Sequence, residues 1–202
     1  MTLWRGNRPL VLASQSRSRQ TLLANAGIDF ESEPAELDER AIQAASGLSV
    51  PGDIARLLAR EKARFVSARR SGQYVIGADQ TLALGVRIFN KPAGRAQAAD
   101  QLRALAGHAH ELHAAVAVAR DETILFEHVA VARMTMRRLS DAEIDTYLNE
   151  AGAAVTSSVG AYQLEGLGVH LFDGIEGDHF TILGLPLLPL FAFLRGEHLL
   201  GV

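Results

Sequence analysis

Cysteine is absent from the 202-residue chain, which removes disulfides, thiolate metal sites, iron–sulfur clusters and a cysteine nucleophile together. A dominant charge is lacking too: 20 Lys+Arg stand against 23 Asp+Glu, a formal net charge of -3. No overall basic field is therefore present to hold a nucleic-acid polymer or an anionic membrane, and any anion must be bound locally. Long apolar runs are also missing. The longest, Leu183 to Leu194, is interrupted by Pro186 and Pro189 and falls short of the roughly 18 residues a membrane span needs. Pro9 to Ala13 is too short for a signal-peptide core. These absences fit a cytoplasmic protein with no membrane partner.

What remains is ordinary globular composition, with 48% apolar and 21% charged residues, enough to build a core. No repeat, low-complexity tract or Pro/Ser-rich linker marks a boundary, so residues 1–202 read as one α/β domain behind a flexible leader of residues 1–8. Pro9 to Ala13 reads as a buried strand, and the polar Ser14 to Arg19 leads into a helix with Leu22 and Leu23. Glu31 to Gly52 has weak periodicity. Asp53 is a candidate N-cap for a helix running to about Arg70. Gln73 to Ala78 reads as a second buried strand ending at Asp79-Gln80-Thr81. A helix follows Lys91-Pro92 and stops near Gly107, and Leu112 to Ala119 and Glu127 to Leu139 read as extended. Ser140-Asp141-Ala142-Glu143 has the form of a capping box. Gly160 to Asp173 and His179 to Leu183 read as strands, and a last helix starts near Pro186. Neighbouring strands without a helical crossover predict a mixed sheet flanked by helices.

Several residue types invite chemistry, each with a plainer alternative. Ser14, Ser16, Arg17 and Arg19 offer hydroxyls and guanidinium forks beside a helix start, which suits a phosphate chain; the same residues could simply cap the helix and be solvated. Asp79, after a buried strand, could hold Mg²⁺ or orient water, or nucleate a turn. Lys62 and Lys91 could meet phosphate oxygens or face solvent. His108, His110, Glu111 and His113 lack the i, i+4 spacing of a helical zinc motif, and in a strand His110 would point away from Glu111 and His113. The common nucleotide-binding and hydrolase signatures are absent.

Taken together, Leu12-Ala13-Ser14-Gln15-Ser16-x-x-Arg19-x-x-Leu22-Leu23, Leu37-Asp38-Glu39, Ala59-Arg60-Glu61-Lys62-Ala63, Ile76-Gly77-Ala78-Asp79, Lys91-Pro92, Gly160-Ala161-Tyr162 and Gly184-Leu185-Pro186-Leu187 resemble the Maf family of nucleoside triphosphate pyrophosphatases, from about Leu10 to Leu194. The resemblance implies an elongated mixed α/β fold with two lobes around a cleft, usually a homodimer. It implies cleavage of a nucleoside triphosphate between its α and β phosphates, aided by a divalent metal cation such as Mg²⁺ or Mn²⁺, in a house-cleaning role. It also implies that Ser14, Ser16 and Arg19 bind phosphate, that Lys62 and Lys91 face it, and that Glu39 and Asp79 form the acidic pair, with Asp79 as proton acceptor.

Two departures from the family pattern matter. Where the family commonly has Ser-x-Ser-Pro-Arg-Arg, this chain has Arg17 and Ser18 in place of the proline and first arginine, so Arg17 either restores the cation or one phosphate contact is lost. Where the dTTP/UTP-preferring branch has Gln-Gly, this chain has Glu165-Gly166. A carboxylate only accepts hydrogen bonds and so suits the donors of a guanine edge, all the more when 7-methylation makes the base cationic. Gln80, following Asp79, is similar to the 7-methyl-GTP branch as well. Glu165 and Gln80 are thus the expected base-binding pair, with Glu165 facing solvent or a structural partner as the alternative. The competing functions are a dTTP/UTP-preferring enzyme and a non-enzymatic nucleotide sensor acting on septum formation.

Overall fold

The computed structural model describes residues 3–201. The described chain divides into two compact units, each discontinuous in sequence: one takes the chain up to Gln80, Ala114–Ala130 and everything from His179, and the other takes Thr81–His113 and Val131–Asp178. Three of the four crossings, at 80/81, 113/114 and 130/131, fall inside strands rather than in linkers, which is why no compositional boundary is visible there in the sequence.

The first unit is built on an alternation. β1 (Leu10–Leu12) pairs in parallel with β2 (Phe30–Ser32) and with β3 (Val75–Leu84). On one face Leu10, Leu12, Ile76, Ala78, Val116 and Val118 bury against Leu22 and Leu23 of α1 (Arg17–Asn25) and Leu187, Leu190 and Leu194 of α7 (Leu187–Gly196). On the other face Val11, Ala13 and Val75 pack with Val66, and Ala115, Ala117 and Ala119 pack with Ala55, Ala59 and Ala63; Val66, Ala55, Ala59 and Ala63 come from α3 (Pro51–Ser67). Strands covered on both faces read as continuous apolar runs, which is what the sequence displays. The full strand order is β2-β1-β3-β5-β6-β7, with β4 (Arg87–Phe89) also on β3. β5 (Ala109–Arg120) and β6 (Thr123–Met136) are joined by Asp121 and Glu122, both at positive φ, as a two-residue hairpin turn requires. β7 (Phe172–Glu176) runs antiparallel to β6. The expected mixed α/β fold with flanking helices is what the chain adopts.

The second unit adds α4 (Arg95–Leu105) and α5 (Asp141–Ala151), the latter opened by the expected capping box between Ser140 and Glu143. Among the described residues no helix is long and apolar enough to cross a membrane.

Several expectations change. Asp53 is the third residue of its helix, not the cap, because Pro51 occupies the first turn, where a missing amide costs nothing. The weakly patterned 31–52 segment contains α2 (Glu39–Ser46), capped by the Asp38 side chain on the Ala41 amide at 3.0 Å. β3 does not end at Asp79: Thr81, Leu82 and Ala83 are buried and continue the ladder to Leu84, pairing with β4. Residues 160–171 form short 3-10 turns rather than a strand, bent by positive φ at Gly160 and Ala161, and His179–Ile182 is the helix α6. The expected leader is, from residue 3 on, tied down: Trp4 is buried and donates its indole N–H to the Arg8 carbonyl at 2.7 Å, and the Arg5 amide bonds the Leu199 carbonyl at 2.9 Å. Met1 and Thr2 lie outside the described residues.

Candidate functional site

A strand places successive side chains on opposite faces, and β3 uses this at Asp79 and Gln80. Val75 and Gly77 face α3, so Asp79 faces α3 too, and there it meets Lys62 one helical turn from Ala59. The Lys62 Nζ donates to Asp79 Oδ1 at 2.7 Å and lies 2.9 Å from Glu39 Oε1. Lys62 and Asp79 are each only 8% exposed, whereas the Glu39 side chain is half exposed at the first residue of α2. One ammonium thus bridges two carboxylates drawn from different elements.

The approach is set by Gly77. A Cβ there would overlap the Ala59 carbonyl oxygen and stand 2.6 Å from the Ala63 amide nitrogen. Only glycine lets α3 lie this close on β3, and Lys62 precedes Ala63.

Arg19 is the second organiser. Its Nη1 donates to the Ala78 carbonyl at 2.9 Å and to Ser14 Oγ at 3.2 Å, and its Nε donates to the Gly184 carbonyl at 2.8 Å. Gly184, at φ +86, leaves room for the guanidinium, which would sit 3.4 Å from a Cβ. Burial holds the Arg19 pKa below its ordinary value, opposed by the charges of Asp79 and then Glu39. Ser14 Oγ also accepts from the Ser16 amide at 3.2 Å, and Ser16 caps α1, accepting from the Arg19 amide at 3.5 Å. Capping and the organisation of Arg19 therefore coexist in one loop. Arg17 stands exposed at the first residue of α1.

The structure brings together Ser14, Ser16, Arg19, Glu39, Lys62 and Asp79 within the first unit. Gln80 belongs to the same unit but serves otherwise. The pleat turns it away from Asp79, and its Nε2 donates to the Thr181 and Ile182 carbonyls, both at 3.0 Å. Its amide donors brace the end of α6. Lys91 and Glu165 lie in the second unit and are exposed, Lys91 between β4 and α4, Glu165 in the turn before the 3-10 segment Leu167–Leu171. The histidines separate as the strand parity predicts: His110 is buried with Nε2 2.7 Å from the Tyr162 hydroxyl, while His113 Nε2 lies 3.0 Å from Glu111. Sequence reasoning missed Gly77 as the spacer of the Lys62–Asp79 pair, and also the buried Gln101. The first was legible as a glycine within an apolar strand; the second as a polar residue on an apolar helix face.

The Maf-like protein family model matches residues 9–197, and the chain belongs to that family. A relative named nucleoside triphosphate pyrophosphatase, from Bradyrhizobium diazoefficiens, is 69% identical over 202 residues, covering 100% of both chains. A relative named 7-methyl-GTP pyrophosphatase, from Rhizobium etli, is 52% identical over 188 residues, covering 92% of this chain and 94% of its own. Among solved structures, a nucleoside-triphosphatase / dITP/XTP pyrophosphatase from Mycobacterium abscessus aligns with a TM-score of 0.40 at 18% identity, over 94% of this chain and 95% of the other.

Proposed function

We infer that this chain hydrolyses nucleoside triphosphates between the α and β phosphates, giving the monophosphate and pyrophosphate. The observation that carries the reading is the buried Lys62 ammonium, held 2.7 Å from Asp79 and 2.9 Å from Glu39. A lysine committed to two carboxylates in a buried position is costly unless a function needs that charge arrangement. The names of the relatives that share nearly the whole chain support the same activity.

The charges of Lys62 and Arg19 cancel those of Asp79 and Glu39, so a triphosphate carrying about four negative charges needs further cations. The donor set suits a divalent metal: two carboxylates converge on one point, and Mg²⁺ commonly binds through one or two carboxylates plus substrate phosphates. Glu39 and Asp79 would hold Mg²⁺ or Mn²⁺, which would neutralise phosphate charge when bound. Lys62 exchanges part of its hold on the carboxylates for a phosphate oxygen, and Lys91 adds a second ammonium. Asp79 accepts the proton of the water that attacks the α phosphorus, and pyrophosphate leaves. Arg19, bonded to Ala78, Gly184 and Ser14, fixes the strand that carries Asp79, and this reading assigns its remaining guanidinium nitrogen, Nη2, to a phosphate oxygen.

The preferred base follows from Glu165, whose carboxylate suits the N–H donors of guanine and the cationic charge of 7-methylguanine. The name of the 52% identical relative supports this finer reading. A homodimer acting on the cytoplasmic nucleotide pool belongs to the same proposal, and light scattering checks the oligomer. Pyrophosphate release from 7-methyl-GTP, GTP, dTTP and UTP with Mg²⁺ or Mn²⁺ tests the whole. Release by the wild type and its loss in Asp79→Asn, with nucleotide binding retained, are expected; no release from any substrate overturns the activity. A preference for 7-methyl-GTP that shifts in Glu165→Gln is expected, and an unchanged preference removes Glu165 from base reading.

A further inference from the structure

α4 presents an apolar face to the second unit through Ala98, Ala99, Leu102 and Leu105, and Gln101 interrupts it, 5% exposed. A carboxamide in an apolar stripe costs desolvation unless both its ends are bonded, and here both are. Gln101 Nε2 donates to the Asn90 carbonyl at 2.8 Å, and its Oε1 accepts from the Gly160 amide at 3.2 Å. With a carbonyl at one end and an N–H at the other, only this orientation of the amide satisfies both.

The two backbone groups it joins are far apart in sequence and each adjoins an expected site residue. Asn90 precedes Lys91, and Lys91 precedes Pro92, which confines residue 91 to extended backbone. The Ala93 amide is held in turn by Gln97 Oε1 at 2.7 Å. The backbone that projects Lys91 is therefore fixed from both sides by glutamines of one helix. Gly160 opens the turn leading to Glu165. That turn is strained, with φ of +78 at Gly160 and +62 at Ala161. A non-glycine residue in the left-handed region persists only where its surroundings over-determine it. Those surroundings are Gln101 on the Gly160 amide, the Tyr147 hydroxyl on the Ala161 carbonyl at 3.1 Å, and His110 on the Tyr162 hydroxyl.

We propose that Gln101 is a positioning residue whose buried carboxamide ties the Lys91 segment and the 160–165 turn into one element, so that phosphate-side and base-side contacts are set together. The proposal rests on the reading of Lys91 and Glu165 given above. Gln101 touches neither substrate nor reacting atoms. It acts through the backbone at Asn90 and Gly160.

The experiment compares Gln101→Met, which keeps the volume and removes both bonds, with Gln101→Glu at alkaline pH, whose ionised carboxylate can accept from Gly160 but cannot donate to Asn90. For Gln101→Met the expected result is a fall in kcat/KM of about 10²-fold, the usual effect of displacing a substrate-positioning group by about 1 Å. Inhibition by pyrophosphate and discrimination between 7-methyl-GTP and dTTP should weaken together. For Gln101→Glu, weaker pyrophosphate inhibition with discrimination retained is expected, because only the Asn90 arm is cut. Wild-type kinetics in Gln101→Met, or a lowered Tm with pyrophosphate inhibition and discrimination unchanged, overturns the proposal. Amide hydrogen exchange separates it from the activity reading. Faster exchange at both Gly160 and Ala93 in Gln101→Met upholds the mechanical tie even if wild-type protein releases no pyrophosphate, whereas unchanged exchange at either refutes it. Should Gln101→Met fail to fold, the Gln101→Glu split decides alone.

Discussion

Gly77 and Ala59 meet backbone to backbone: a Cβ on the first would overlap the carbonyl oxygen of the second. The contact is what lets α3 carry Lys62 to within 2.7 Å of Asp79 two positions further along the same strand. Gly77→Ala should therefore cost about 3 kcal/mol or more, since neither backbone can yield cheaply. Urea unfolding measures it. A midpoint within error of wild type would show that α3 can retreat freely, and pyrophosphate release by any folded fraction should fall as Lys62 moves off Asp79.

Removing Lys62 alone should be worse for stability than removing the pair. Lys62→Met leaves a buried Asp79 carboxylate without its partner, a situation that typically costs about 3–5 kcal/mol. Lys62→Met combined with Asp79→Asn should recover much of that loss and none of the activity. Glu39, half exposed, contributes little to the balance. A double-mutant cycle by denaturant titration checks the coupling; additive losses would mean that the two charges are independently solvated.

Arg19→Lys should lower kcat/KM by about 10²-fold, because a single ammonium cannot span the Ala78 and Gly184 carbonyls and Ser14 Oγ in the plane of a guanidinium fork. Steady-state kinetics on the purified variant decide this, and activity near wild type would show that one donor suffices.

Acid should destabilise the protein in a window set by His110. Burial lowers its pKa from 6.5 to about 4, so between those values the unfolded chain binds a proton that the folded chain excludes, and stability rises with pH. The contribution is complete above about pH 6.5 and is lost as pH falls toward 4, to a total of about 3 kcal/mol. The slope of unfolding free energy over this window should flatten in His110→Phe; an equal slope in both proteins would assign the acid response to other groups.

Much of this molecule can be read before folding. The continuous apolar runs of Leu10–Leu12 and 75–78, the capping box at Ser140, and the hydroxyl and arginine pattern of Ser14 to Arg19 depend on near neighbours in the chain, so local rules apply to them. The rules misplaced the end of β3 because Thr81-Leu82-Ala83 looks like a turn exit until β4 offers it a pairing edge. They misread residues 160–171 as extended because a run of glycines and apolar residues does not announce positive φ at Ala161.

The sequence by itself determined the element types that periodicity and caps encode, and the residues from which a phosphate-handling site can be made. Tertiary structure decided which of them meet. Asp79 and Gln80 are adjacent letters of similar polarity, yet the pleat of β3 sends one to Lys62 and Glu39 and the other to the carbonyls of α6. The strand register and the Gly77 contact fix that choice, and both arise from residues distant along the chain, where no local pattern can record them.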